Sequence, residues 1–196
     1  MRDQFFFPLT VAVGVGMFLL ALQPFADRPP TGPVSGGGRN AQDITVSGTE
    51  LHRFLPGDAG GLDIVDTPEG DILRITRLAT QVYDNPRSGP HLVLAADVEF
   101  AMQERPIEVV IEARSAGEFA ASQFQADFLA RPGEESGWQT FDLTSEFKPY
   151  AFTYTTPTRG DVEGYDYLGV RPVTPDKRRT FEVRSVRIHV VGERGG

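Results

Sequence analysis

The strongest constraint on the fold is an alternation of apolar and polar side chains with a period of two, which runs from Ile44 to near the C-terminus. Side chains of a β-strand point alternately to opposite faces, so this pattern predicts strands with one buried face. Clusters of Pro and Gly interrupt the alternation at short intervals, as turns between antiparallel strands do. The sequence therefore predicts an all-β domain over residues 42–196, an antiparallel jelly-roll-like β-sandwich.

Three segments show the alternation most clearly. Leu92–Phe100 and Ile107–Arg114 are predicted to pair as a hairpin, and Phe124–Arg131 forms a third strand. Further strands are predicted at Leu62–Val65, Asp71–Leu78, Trp138–Leu143, Tyr150–Tyr154, Tyr167–Val170 and Phe181–Val191. Within the last of them the apolar phase slips by one residue near Arg184–Ser185, which predicts a β-bulge.

The N-terminal segment has a different pattern, because no charged side chain occurs between Gln4 and Ala26. About 20 apolar residues in a helix cross the hydrocarbon core of a bilayer. Residues 1–26 are therefore predicted to be a single transmembrane anchor. Its characteristic residues are Phe5, Phe6, Phe7, Phe18, Leu19 and Leu20. The alternative is a cleaved signal peptide, which the nearly uncharged n-region and the poor cleavage site disfavour.

Residues 27–41 are rich in Pro and Gly and predict a linker between anchor and sandwich. Positive charges flank the anchor almost evenly, with Arg2 before it and Arg28 and Arg39 after it. A short tail ahead of a large domain favours an N-terminus inside the cell. The absence of Asn-x-Ser/Thr sequons suits a bacterial protein. The predicted location is the bacterial inner membrane, with the sandwich in the periplasm.

Composition and motifs exclude several function classes. Asp and Glu number 27 against 19 Lys and Arg, and a net charge of −8 repels nucleic acid. With no Cys, the chain has no disulfide, Cys-ligated metal or thiol nucleophile. The sequence contains no Gly-x-Ser-x-Gly, His-Glu-x-x-His, Walker or dinucleotide-binding motif. His52, His91 and His189 are predicted to be surface residues rather than metal ligands.

The segments Gly137–Leu143, Tyr167–Val170 and Phe181–Ile188 follow one another as a Trp-initiated strand, a Tyr-containing strand and a closing strand. This pattern resembles jelly-roll domains of the carbohydrate-binding-module and galactose-binding-like type. The resemblance implies a β-sandwich in which glycans stack on exposed aromatic rings. The candidate rings are Trp138, Tyr150, Tyr154, Tyr165 and Tyr167. For Trp138, Tyr150 and Tyr154, packing of the ring into the core or against the sandwich edge is the alternative interpretation.

The same resemblance implies a structural calcium ion as the one cofactor to consider. Asp161, Glu163 and Asp166 are close in sequence and are the candidate ligands. Their spacing lacks the full oxygen-ligand pattern of a calcium loop, so a solvated acidic turn is the alternative.

The main functional hypothesis is a non-catalytic accessory or structural subunit of a larger membrane protein complex, with an extracytoplasmic sandwich that binds protein. The first alternative is a membrane-tethered carbohydrate-binding module of the cell envelope. The second alternative is a glycan-active enzyme, although the sequence contains no catalytic motif that supports it. The predicted partners are accordingly a membrane protein complex or an envelope glycan, and the lipid bilayer through residues 5–25.

Overall fold

The computed structural model describes residues 11–19, 28–37, 41–58, 61–131, 133–158 and 165–192. The chain divides into two compact units, Met1–Pro30 and Thr31–Gly196. In the first unit, residues 11–19 form a helix (α1) with exposed apolar side chains such as those of Phe18 and Leu19.

The described helices include none that is both long and apolar enough to cross a bilayer. The other predicted anchor residues, Phe5, Phe6, Phe7 and Leu20, lie outside the described residues. The transmembrane anchor stays a prediction.

The second unit is a β-sandwich with one short helix. Its elements in chain order are β1 Asp43–Ser47, β2 Leu62–Val65, β3 Ile72–Leu78, β4 His91–Leu94, α2 Ala96–Met102, β5 Pro106–Ser115, β6 Gln123–Arg131, β7 Glu134–Glu135, β8 Gln139–Asp142, β9 Lys148–Thr155, β10 Asp166–Pro172 and β11 Arg178–Val190. Two sheets of antiparallel strands pack face to face, which confirms the predicted β-sandwich.

Each sheet is built around one strand. The first, which we call the β11 sheet, has six strands in the order β2-β3-β11-β5-β9, and β1 pairs with the distal part of β11. The second, the β10 sheet, has five strands in the order β4-β10-β6-β7, with β8 also paired to β6. In β5, buried and half-buried residues alternate along nearly the whole strand, as the period-two pattern predicts.

The predicted bulge lies in β11. The register against β5 shifts between Val183 and Ser185, so Arg184 is the extra residue. Because of this insertion, Val183 and Val186 both face the core, although they are three positions apart. The prediction of a bulge at Arg184–Ser185 is confirmed.

The core between the sheets is aromatic at its centre. Phe124, Phe128 and Phe181 are its largest fully buried side chains. The Phe124 ring stacks on Phe181 at 5.1 Å and on Phe141 at 5.1 Å between ring centres. Such offset pairs add to the free energy gained from burying the rings.

The predicted strand Leu92–Phe100 is wrong in its second half. Strand β4 ends at Leu94, and Ala96–Met102 is the helix α2. Val98 and Met102 are four positions apart and both buried, as helical spacing requires. Acidic residues in the first turn also favour a helix N-terminus there. The predicted hairpin is wrong as well, since β4 pairs with β10 and β5 pairs with β9 and β11.

Part of the predicted linker packs on the sandwich. Val34 is only 5% exposed and forms a parallel bridge to Leu94 at the free edge of β4. Arg53 holds the same segment, because its Nη1 donates to the carbonyls of Thr31 (3.1 Å) and Pro33 (3.2 Å). An apolar side chain within a Pro/Gly-rich segment thus covers a sheet edge. The compact unit that contains the sandwich includes this segment, since it runs from Thr31 to Gly196.

Replacing Val34 with alanine should lower the free energy of unfolding by about 1–2 kcal/mol, since two buried methyl groups are lost. The measurement is urea denaturation of the full chain. The matched control is Val82→Ala, because Val82 is 78% exposed and its truncation should change stability by less than about 0.5 kcal/mol. Equal effects of the two substitutions would show that residues 31–37 are not part of the packed domain.

Candidate functional site

The outer face of the β10 sheet carries the candidate site. Arg171 of β10 lies opposite Gln125 of β6, and Gln125 lies opposite Thr140 of β8. One row further along, Gly169 pairs with Asp127. Since side chains alternate along a strand, these residues face away from the core into which Leu168 and Val170 point.

A connecting segment between β3 and β4 lies across this face. We call residues 82–90 the strap. Pro86 of the strap packs directly on Gly169, where an added Cβ would lie 2.6 Å from the Pro86 Cβ. Only glycine fits at this position. Tyr83 of the strap is also buried, so the strap covers the central part of the face.

Trp138, which immediately precedes β8, is held at the border of the strap. The guanidinium carbon of Arg171 lies 3.7 Å from the centre of the indole ring. The indole Nε1 donates to the Asp84 carbonyl of the strap at 2.8 Å. With one face covered by a cation and its polar edge hydrogen-bonded, the half-buried ring has a fixed orientation.

Arg171 connects the strap to the sheet. It is 9% exposed. Its Nε donates to Gln125 Oε1 at 2.9 Å, and its Nη1 donates to the carbonyl of Tyr83. Burial lowers the pKa of Arg171, and the neighbouring charge of Arg77 acts in the same direction. The guanidinium nevertheless stays charged, because an arginine pKa starts far above neutrality.

Tyr167 lies at the other side of the strap. Its half-buried ring contacts the guanidinium carbon of Arg87 at 5.3 Å and the His91 ring, edge to face, at 5.7 Å between centres. Burial lowers the pKa of His91, so the imidazole is neutral at neutral pH. Its Nδ1, 2.7 Å from the Gly89 carbonyl, must carry the proton of that hydrogen bond. His91 is 7% exposed, so its predicted surface position is wrong.

Asp127 is a buried carboxyl group on this face, with 2% of its surface exposed. The Ser136 hydroxyl donates to Asp127 Oδ1 at 3.0 Å. Burial is the largest influence on the carboxyl group and raises its pKa, while the Ser136 hydrogen bond acts in the opposite direction.

The raised pKa of Asp127 predicts a pH effect on stability. The folded protein holds the Asp127 proton up to a higher pH than the unfolded chain, in which the pKa of the carboxyl group is near 3.8. The contribution of Asp127 to the free energy of unfolding therefore falls as the pH rises through its pKa in the folded protein. In Asp127→Asn, which keeps an oxygen acceptor for Ser136, we expect this fall to disappear. The melting temperature relative to wild type should therefore rise between about pH 3 and pH 7. A variant that loses stability relative to wild type over that range would contradict the assignment.

The predicted ligand-binding tyrosines do not all share this face. Tyr150 and Tyr154 of β9 face the core of the sandwich. Tyr150 packs against Phe124 at 5.3 Å between ring centres. The Tyr154 hydroxyl donates to the Glu134 carbonyl at 2.8 Å, and burial raises its pKa to about 12. Core packing, the alternative interpretation, describes these two half-buried rings.

Tyr165 is 49% exposed at the start of the segment that leads into β10. Of the predicted calcium ligands, Asp161 and Glu163 lie outside the described residues. The backbone N–H of Asp166 donates to Glu99 Oε1 at 2.8 Å. Across the described ranges, no group of three or more His, Asp or Glu side chains could hold a metal ion. The calcium site stays a prediction.

Sequence reasoning missed the strap and Arg171. One signal for Arg171 was available, because it lies four positions after Tyr167 on the same strand and therefore on the same face. No comparable signal marks Tyr83 or Arg87, whose contacts with this face depend on how the strap folds back.

Neither a protein-family model nor a curated protein sequence matches the chain. Solved structures with a similar fold include carbohydrate-binding modules and an insecticidal crystal protein of Bacillus thuringiensis. The xylan-binding domain CBM22-2 of Paenibacillus barcinonensis Xyn10C is 11% identical, with a TM-score of 0.50 over 70% of this chain and 91% of that one. A CBM4 structure is 13% identical, with a TM-score of 0.48 over 78% of this chain and 97% of that one. At such identities the similarity shows the fold alone, and the predicted resemblance to carbohydrate-binding modules is confirmed at that level.

Proposed function

We propose that this protein is a non-catalytic carbohydrate-binding module and that the glycan binds on the outer face of the β10 sheet, along the border of the strap. The observation that carries the proposal is the fixed, partly exposed indole of Trp138, held by Arg171 and the Asp84 carbonyl. An aromatic ring that is already ordered binds a ligand without paying further side-chain entropy.

The chemistry of the face suits a sugar. A pyranose ring has an apolar C–H face that packs on an indole, and hydroxyl groups around its edge that need hydrogen-bond partners. Next to Trp138, Gln125 donates to Thr140 Oγ1 at 3.0 Å, and Thr140 is exposed. Amide and hydroxyl groups both donate and accept, so they match sugar hydroxyls. Few polar groups around an aromatic surface are the usual composition of a small-molecule site.

Of the two main functions predicted from the sequence, glycan binding has the support of both the fold and the site. The accessory-subunit hypothesis rests on the predicted anchor. We retain the anchor as part of the proposal: residues 5–25 tether the domain to the bacterial inner membrane, and the ligand is a glycan of the cell envelope. Fractionation of cells that express the tagged full chain tests the tether, and recovery of the chain outside the membrane fraction would contradict it.

The experiment that tests the function is affinity electrophoresis of the full chain through gels that contain xylan, laminarin or polygalacturonate. Wild type should be retarded by at least one of them, and the double variant Trp138→Ala/Tyr167→Ala should not. The matched control is Phe147→Ala, because the Phe147 ring contacts Arg114 (4.4 Å) and Arg184 (3.9 Å) on the β11 sheet. Unchanged wild-type mobility in all three gels, or equal retardation of the double variant, would contradict the proposal.

A further inference from the structure

Four arginines of the β11 sheet form ion pairs within its outer face. These pairs are Arg74 and Arg114 with Glu182, Arg184 with Glu112, and Arg187 with Asp43. Glu182 is 1% exposed, and two guanidinium groups neutralise it. This face therefore supplies its own counter-charges.

Three arginines in or near the strap have a different environment. Arg77, Arg87 and Arg171 form no ion pair with any carboxylate among the described residues. Their guanidinium groups lie on aromatic rings instead: Arg77 is 4.9 Å and Arg171 5.6 Å from the centre of Tyr83, and Arg87 packs on Tyr167. The chain has 27 acidic residues, so a shortage of carboxylates does not explain why these three arginines lack ion pairs.

Arg171 is the most buried of these three arginines and keeps free hydrogen-bonding capacity. A guanidinium has five N–H donors, and Arg171 donates only to Gln125 Oε1 and the Tyr83 carbonyl. None of its nitrogens is both buried and without a partner. Nη2, which has no hydrogen-bond partner among the described residues, is therefore accessible to solvent on the guanidinium that lies over the indole of Trp138. A charge buried to this extent is normally paired with an opposite charge.

Two carboxyl groups lie near enough to Arg171 to influence it, Asp84 and Asp127. Neither forms an ion pair with it. Asp127 is bonded to Ser136, and burial raises its pKa. Glu134, close to the same edge of the sheet, pairs with Arg131 at 3.6 Å. Arg171 therefore has no ion-pair partner among the described residues.

We propose that the ligand is an acidic glycan, whose uronate carboxylate binds the free N–H groups of Arg171 while the sugar ring packs on Trp138. This inference rests on the proposed function and specifies its substrate class. A planar carboxylate matches the guanidinium fork and accepts two parallel hydrogen bonds. Arg87 on Tyr167 supplies a second cation for a neighbouring uronate. The net charge of −8 does not oppose this local contact strongly, since charges beyond about 8 Å are screened at physiological salt.

The test compares one polysaccharide in two chemical forms. Calorimetric titration of the full chain with polygalacturonate oligosaccharides and with the same oligosaccharides after carboxyl reduction isolates the carboxylate. We expect the reduced form to bind at least about tenfold more weakly, the usual size for loss of a charge-assisted hydrogen bond. Arg171→Met should remove the difference between the two forms.

Because Arg171 also supports Trp138 and Tyr83, Arg171→Met carries a risk of misfolding. Arg87→Gln, on an exposed strap residue, is therefore the second variant and should reduce the preference for the acidic form about threefold or more. The matched control is Arg184→Gln, which removes one positive charge from the β11 sheet and should leave the preference unchanged.

The possible failures are distinguishable. Equal affinity of wild type for the acidic and reduced forms would overturn the acidic-glycan inference and leave glycan binding intact. Binding of xylan or laminarin without binding of polygalacturonate would likewise overturn the acidic-glycan inference and leave glycan binding intact. Binding of dextran sulfate but neither polygalacturonate nor dextran would replace the carboxylate by a sulfate ester and overturn the uronate assignment. Absence of binding to every polysaccharide would overturn the proposed function itself.

Discussion

Trp138→Ala will weaken glycan binding about 30-fold, an effect of about 2 kcal/mol that is typical of a tryptophan at the centre of a binding site. The substitution removes the ring on which the sugar is proposed to pack, and it leaves Arg171 without its stacking partner. Isothermal titration calorimetry on the full chain measures the effect. Trp138→Phe should give an intermediate affinity, because it keeps an aromatic ring but loses the hydrogen bond to the Asp84 carbonyl.

A control for this prediction is available elsewhere on the sandwich. Phe119 is 37% exposed and carries the guanidinium of Arg178 at 5.2 Å from its ring centre. It is thus another surface ring under an arginine, next to β11 rather than on the β10 sheet. Phe119→Ala should leave affinity unchanged. If Phe119→Ala and Trp138→Ala weaken binding equally, the loss reflects a general change in the domain and the site assignment fails.

Phe124→Ala will lower the free energy of unfolding by about 3–5 kcal/mol, the range for removal of a fully buried phenylalanine. Its ring contacts Phe141, Phe181 and Tyr150, so the cavity has aromatic walls that cannot easily collapse. Since domains of this size are stable by about 5–15 kcal/mol, the variant will be close to its unfolding limit.

Urea denaturation of the full chain measures the loss of stability in Phe124→Ala. Phe100→Ala is the matched control, because Phe100 is 60% exposed, and it should cost less than about 1 kcal/mol. If Phe124→Ala lowers the free energy of unfolding by no more than the control does, the described core is contradicted. In that core the Phe124 ring contacts residues of both sheets.

The sandwich could be predicted from sequence because apolar and polar side chains alternate in a single phase along β5, as a half-buried strand requires. The bulge followed from the same reasoning, since two phases in one strand require an inserted residue. Residues 92–102 could not be assigned in this way. Val98 and Met102 fit a helical spacing, while Leu92–Phe100 also fits strand alternation, and the energetic choice depends on contacts distant in sequence.

The candidate site was predictable only in part. Trp138 and Tyr167 were among the candidate rings, but Tyr150 and Tyr154 show the same alternation and face the core. Alternation predicts that one face of a strand is covered. It does not reveal whether a row of aromatic side chains lies on the covered face or on the exposed one. The strap was not predictable, because the contact of Arg171 with Tyr83 joins residues 88 positions apart. Arrangements of this kind arise from topology and not from local pattern.

Fluorescence titration tests the central claim most directly, because Trp138 is the single tryptophan of the chain and lies in the proposed site. Titration of the full chain with a polysaccharide that retards it should shift the tryptophan emission to shorter wavelength and protect it from acrylamide quenching. Both changes should saturate with the calorimetric dissociation constant. Calorimetric binding with unchanged emission and unchanged quenching of Trp138 would place the glycan elsewhere and contradict the account.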